Sequence, residues 1–314
     1  MTTDDHAAKA REIGRQRAEA VLQQRRVAHE KRAAALAGNA KTLRLTRSVR
    51  PAAESLQAQT TQTAGFLLAL GDSWFDYPVH DVLTKLDDEH GYNVESAAHA
   101  GDPIENMAYQ GGQIDRFARC FEKVIAHGAM PKAILLSGGG DDIAGREFGM
   151  LLNSVVSPIH GWNADVVEGV IDVRIRTGYT AILTAVNTVS QSYAGRTFPV
   201  LVHGYDYPVP DGRGFLWGWP FPGPWLQPGL REKGFSDLET GIALLRLLID
   251  RFNQMVMDFA AASVGQVHYV DLRNTLSTIV AGEAYKDWWA NELHPTGDGF
   301  SAIANKFAAV LTQV

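Results

Sequence analysis

The chain of 314 residues contains one cysteine, Cys120. That excludes an intrachain disulfide and a multi-thiolate metal site, and the thiol sits in an apolar-periodic stretch that reads as core. No run approaches the ~18–20 apolar residues of a transmembrane helix. The N-terminus has no apolar signal-peptide core, and Asp4, Asp5, Glu12 and Glu19 argue against a transit peptide, so a cytoplasmic location is the expectation. No Gly-Lys-Ser/Thr follows the glycines at Gly138–Gly140, which argues against a nucleotide cradle. The paired acids Asp141 and Asp142 are poor evidence for a metal by themselves, and the sequence calls for neither metal nor cofactor.

A charge excess of one sign is also small, at −6, which argues against nucleic acid as the main partner. The charge is unevenly spread. Residues 1–60 carry 12 Lys and Arg against 6 Asp and Glu, whereas the remainder carries 17 against 29. Residues 5–37 lack proline, are rich in Ala, Arg, Glu and Gln, and predict a helix. Its apolar positions Ile13, Val21, Leu22 and Val27 are too sparse for a heptad. The stretch reads as a solvated helix docked by a thin apolar stripe, with a homo-oligomerisation arm or an anionic-surface arm as the sharper alternatives. Residues 1–62 are therefore assigned to a helical N-terminal extension, and 63–314 to a catalytic domain.

From Gly65 onward, short apolar runs alternate with helical patterns. Strands are predicted at Phe66–Leu70, Asn93–Ala98, Ala133–Leu136, Phe198–His203 and Val267–Val270. Helices are predicted at Val79–His90, Ile104–His127, Asp165–Ser190, Leu238–Ser263 and Ser301–Leu311. This order specifies an α/β fold, a three-layer α/β/α sandwich around a mainly five-stranded parallel sheet of flavodoxin-like type. In such sheets ligands bind beyond the carboxyl ends of the strands.

The residues that follow the strands carry the chemical signal. Ser73 follows the first strand, Gly101 the second, the turn Gly138–Asp142 the third and Tyr205 the fourth. The late segment Asn291-Glu292-Leu293-His294-Pro295 follows the fifth. A serine, backbone N–H groups in glycine turns, a polar side chain and a late histidine are what acyl transfer requires. The serine must lose a proton, a histidine can take it near neutral pH, and donors must meet the oxyanion that develops.

On these residues the sequence resembles the SGNH (GDSL) hydrolase family over roughly Gly65–Val314. Gly71-Asp72-Ser73 matches the family's first block, Gly101 its second, Gly139-Gly140-Asp141-Asp142 its Gly-x-Asn-Asp block and Asn291–Pro295 its Asp-x-x-His-Pro block. The resemblance implies Ser73 as nucleophile, His294 as base, and the N–H groups of Ser73 and Gly101 as oxyanion donors. It implies a serine esterase acting on a small-molecule, lipid or glycan ester.

Two positions depart from that pattern. Asp141 stands where the family has an asparagine whose amide donates to the oxyanion, and an ionised carboxylate cannot donate. A protonated Asp141 can, given a strongly raised pKa. An alternative register leaves Gly140 at that position and only backbone donors. Asn291 stands where the family has the triad aspartate, and Glu292 and Asp287 are the nearby carboxylates. A catalytically impaired protein that binds an acyl or glycan ligand, or assembles through its N-terminal helix, is the alternative that these departures leave open.

The stretch 204–234 is rich in Gly, Pro and Trp. It reads either as a rigid loop packed on the sheet edge or as a lid walling a pocket beside Ser73. Trp74, Tyr205, Trp217 and Trp219 are the expected substrate-binding aromatics.

Overall fold

The structure is a computed structural model that describes residues 3–43, 63–110, 112–215 and 222–314. Residues 38–64, whose Gly38-Asn39, Pro51 and Gln/Thr-rich sequence reads as a linker or a short second helix, lie mostly outside them, as do Trp217 and Trp219.

The central sheet has five parallel strands: β1 (Gly65–Leu70), β2 (Tyr92–Ser96), β3 (Pro131–Leu136), β6 (Val200–His203) and β7 (Val267–Val270). A two-residue antiparallel hairpin, β4 (Leu152–Asn153) with β5 (Gly161–Trp162), stands apart from it. The order across the main sheet is β2-β1-β3-β6-β7. Leu67–Leu70 and Ala133–Leu136 are buried throughout because helices cover both faces.

The helices are α1 (Thr3–Leu43), α2 (Val82–His90), α3 (Ile104–Tyr109), α4 (Gln113–Ala126), α5 (Gly140–Ile143), α6 (Ala164–Glu168), α7 (Arg176–Ala194), α8 (Gln227–Glu232), α9 (Leu238–Ala262) and α10 (Gly297–Leu311). α2 packs with α10, while α4, α7 and α9 pack together. That division is what right-handed crossovers produce when the chain runs one way from β1 to β2 and the other way thereafter. The reversal falls between β1 and β3, so a crevice opens beyond their carboxyl ends, where Ser73 and Asp141 lie.

Several boundaries differ from the sequence pattern for local reasons. The helix expected from Val79 starts at Val82, since Val79 has φ 74° and Asp81 caps the first turn by accepting from the N–H of Thr84 at 2.6 Å. The pattern over Ile104–His127 is two helices, because Gly112 has φ 72° and breaks the run. The long helix expected at Asp165–Ser190 spans α6 to α7 through a π-helical stretch, Gly169–Ile175. The short β4–β5 pair carries too few residues to leave a periodic signal.

α1 lies on α7. A Cβ on Gly14 would come within 2.2 Å of the Ala181 carbonyl oxygen, so glycine permits the close crossing. Ala10, Ala18, Val21 and Leu22 are buried at this contact side, and Arg25 makes two bonds to the carboxylate of Glu122, at 3.0 and 2.6 Å. From His29 to Leu36 the side chains are exposed. No helix among the described residues is long and apolar enough to cross a membrane.

Candidate active site

The turn Gly71–Ser73 follows from how closely β1 and β3 approach. A Cβ on Gly71 would lie 2.9 Å from both the Ser137 Cβ and the Phe75 ring, so only glycine fits. The next residue, Asp72, is 1% exposed and fully engaged. Its carboxylate accepts from the Ser137 hydroxyl at 2.6 Å, from the Trp74 N–H at 3.0 Å and from the Tyr205 hydroxyl. These bonds fix the backbone of Ser73 between two anchored neighbours. The Asp76 carboxylate accepts from the N–H of Ala100 at 2.9 Å, which ties this turn to the one carrying Gly101. Gln113 adds a second tie. Its amide exchanges bonds with the N–H and C=O of Gly71 at 3.1 and 2.9 Å and donates to Asp102 at 2.8 Å.

Ser73 Oγ lies 2.8 Å from His294 Nε2. His294 Nδ1 lies 3.0 Å from Asn291 Oδ1, in a loop closed by the Trp289–Pro295 bridge. The same amide oxygen accepts from the backbone N–H groups of Leu293 and His294, both at 2.9 Å, and the amide nitrogen donates to the Tyr77 hydroxyl at 3.0 Å. Two backbone donors therefore force the oxygen, not the NH₂, toward the imidazole. Nδ1 must then carry the proton, and Nε2 is left free to accept from Ser73. The ring of Tyr77 stacks on that of His294 with centroids 4.1 Å apart. Burial holds the His294 pKa down at about 3, and Asn291 supplies no charge to offset it.

Neither nearby carboxylate takes the place of a triad acid. Glu292 is wholly buried and points the other way, accepting from the N–H groups of Gly212, Trp225, Leu226 and Gln227 at 2.6–3.0 Å. Asp287 is exposed, and it meets the catalytic loop through its backbone oxygen, which accepts from Thr296 at 2.8 Å.

The backbone N–H groups of Ser73 and Gly101 have no partner among the described residues. Asp141 lies with Ser73, Gly101 and His294 on one pocket. Its Oδ2 is buried and unpartnered. Burial, then the charges of Asp72, Asp142 and Asp102, push its pKa up to about 8. Burial and these neighbouring charges favour the protonated form of Asp141, which is able to donate. Asp142 instead accepts from the N–H of Ile104 at 2.8 Å, at the start of α3. Asp141 lines this pocket, whereas Gly140 lines a neighbouring cavity that Ser73 and Asp141 also line, and its N–H donates to the Tyr205 hydroxyl at 3.1 Å.

The expected substrate aromatics are only partly where the sequence puts them. Trp74 and Tyr205 are buried, and both line a closed-in cavity that Ser73 also lines rather than the open pocket at His294. The Trp74 indole donates to the Leu293 carbonyl at 3.1 Å and packs against His203, Tyr205 and Trp289. The open pocket at Ser73 and His294 is walled by Tyr77, Phe215, Pro222 and Trp225. Tyr77 and Trp225 escaped the sequence reading. The one cue for Tyr77 was its place four residues after Ser73, and for Trp225 its place in the aromatic loop. The described parts of 204–234 thus both pack rigidly, through Glu292, and face the nucleophile.

No protein-family model and no curated protein sequence matches the chain. Similar solved structures include an alpha/beta hydrolase from the metagenome of Lake Arreo, Spain, with 13% identity over 80% of this chain and 96% of that one, at a TM-score of 0.41. A Parabacteroides merdae protein described as GDSL-like lipase has 10% identity over 81% and 98%, at 0.45. An acetylxylan esterase from Geobacillus stearothermophilus, solved as a catalytic mutant, has 13% identity over 79% and 94%, at 0.41. What this chain does chemically is argued from its own residues.

Proposed function

We propose that the protein is a serine hydrolase that cleaves a carboxylic ester through a Ser73–His294–Asn291 triad. The observation that carries this reading is the unbroken line from Ser73 Oγ to His294 Nε2 at 2.8 Å and from Nδ1 to Asn291 Oδ1 at 3.0 Å. Ser73 Oγ attacks the ester carbonyl as its proton passes to Nε2. The carbonyl oxygen, now an anion, takes bonds from the N–H groups of Ser73 and Gly101 and from the protonated carboxyl of Asp141. The tetrahedral centre collapses, the C–O bond to the leaving group breaks, and the imidazolium returns the proton to the departing alkoxide. Water then attacks the acyl-serine and gives a proton to Nε2; the second tetrahedral centre collapses, its bond to Ser73 Oγ breaks, and the imidazolium returns the proton to Oγ as the acid leaves.

Asn291 orients the imidazole without adding charge, so the triad resembles a Cys-His-Asn arrangement more than a Ser-His-Asp one. The acid in the oxyanion site follows the logic of a carboxyl kept neutral so that it can donate.

The test is hydrolysis of a chromogenic short-chain ester by the wild type and by Ser73→Ala, with covalent labelling of Ser73 by an organophosphonate. Activity and labelling that vanish together in the variant support the reading. Equal ester turnover in both proteins would overturn it, and absence of turnover and labelling at every pH would favour a ligand-binding protein on the same fold.

A further inference from the structure

Ser73 stands between two spaces of different character. One is the pocket already described, which contains His294 and is walled by Tyr77, Phe215 and Trp225. The other is a cavity of about 50 Å³ that Ser73 and Asp141 share with Ile143, Leu226, Leu245 and Leu248, and it does not reach His294. Its aliphatic walls come from α5, α9 and Leu226, which immediately precedes α8, and those four aliphatic residues are all buried. Trp74 and Trp289 close one side.

The proton path decides which half of an ester goes where. The leaving oxygen must meet His294 Nε2 to be protonated, so the alcohol half lies on the His294 side. The carbonyl oxygen points at Ser73 N–H, Gly101 N–H and Asp141. The remaining substituent of the carbonyl carbon is the acyl chain, and the space left for it beside Asp141 is the aliphatic cavity. A buried water takes about 10–15 Å³ on this measure, so the cavity accommodates about three to five chain atoms.

We propose that this cavity is an acyl pocket selecting unbranched saturated acyl chains with about three to five carbons beyond the carbonyl. The proposal rests on the hydrolase reading above. Each methylene that fits the cavity raises kcat/KM about fourfold, and the gain stops when the cavity is full.

Two measurements separate this from the hydrolase reading. The first is a series of p-nitrophenyl esters from acetate to decanoate, with wild type, Leu248→Ala and Ala144→Leu. The wild type should peak at intermediate length. Leu248→Ala should move the optimum to longer chains, and Ala144→Leu, which narrows the cavity that Ala144 also lines, should move it toward acetate. The second uses Ser73→Ala, which cannot turn over, and follows quenching of tryptophan fluorescence by methyl esters of the same acids. Quenching affinity should show the same length dependence, since Trp74 and Trp289 line the cavity. Turnover that depends on Ser73 with no length preference, or with an optimum that neither substitution moves, overturns the acyl pocket alone. Length-dependent quenching without turnover in the wild type keeps the pocket and overturns the hydrolase.

Discussion

Asn291 presents its side-chain oxygen to His294 Nδ1 at 3.0 Å while the same oxygen takes two backbone N–H groups. This arrangement separates two functions that an aspartate combines. The amide fixes tautomer and orientation, but it leaves the imidazolium without a counter-charge.

Asn291→Asp therefore acts on basicity rather than on geometry. A carboxylate facing Nδ1 raises the His294 pKa from about 3 toward the usual imidazole range. The acid limb of the ester-hydrolysis profile should move up in pH with it, and kcat should rise at neutral pH. The gain stays well below the roughly 10⁴ of a wrong-tautomer Asp/Asn exchange, because the tautomer here is already correct. Imidazole NMR titration of both proteins checks this; an unmoved His294 pKa would show that Asn291 does not set its basicity.

Asp141 makes activity sensitive to alkali. Its carboxyl is protonated, and able to donate, below about pH 8, and it ionises above that value. A negative charge in the oxyanion site both removes a donor and repels the developing anion, so kcat should fall by about 10²–10³ as pH rises through that range. Asp141→Asn donates at all pH and should lose this alkaline limb while changing little at pH 6. A pH–rate profile with the same alkaline limb in both proteins would assign the titration to another group.

Glu292 couples the catalytic loop to the segment that walls the pocket. Glu292→Gln puts an NH₂ where one carboxylate oxygen meets two of the four backbone donors, leaving them unpaired in a buried place. The expected cost is on the order of 3 kcal/mol, read from urea unfolding. Trp225 also loses its anchor, so KM should rise together with the loss of stability. A variant as stable as the wild type would remove Glu292 as the anchor.

At the N-terminus, Gly14→Leu forces a side chain into the Ala181 carbonyl. α1 should leave its seat on α7 and become sensitive to limited proteolysis near residue 14. Activity should be retained, because α1 packs chiefly on α7 and lines neither of the pockets that contain Ser73. Unchanged proteolysis would mean that the crossing adjusts without cost.

The layout of the site was open to sequence reading to an unequal degree. The strands at Phe66–Leu70, Ala133–Leu136 and Val267–Val270 announce themselves because parallel strands buried on both faces are nearly all apolar. Ser73, Gly101, Asp141 and His294 could be nominated since each follows a strand or stands in a short block with a chemical task. Val79 and Gly112 were less legible. Backbone angles there override the helical pattern, and no periodicity reports them.

By itself, the sequence determined the parallel α/β frame and nominated Ser73 and His294, which the fold brings within 2.8 Å of each other. Those depend on short-range pattern and on chain order. Only the tertiary structure decided whether Asp141 could serve as a donor, because its proton is held by burial and by Asp72 and Asp102, which arrive from two other strand ends. The same holds for Asn291 and Glu292. Adjacent in sequence, they face opposite ways, one to the imidazole and one to four N–H groups of the aromatic loop, and the direction of a side chain in an irregular loop is set by the partners that folding brings to it.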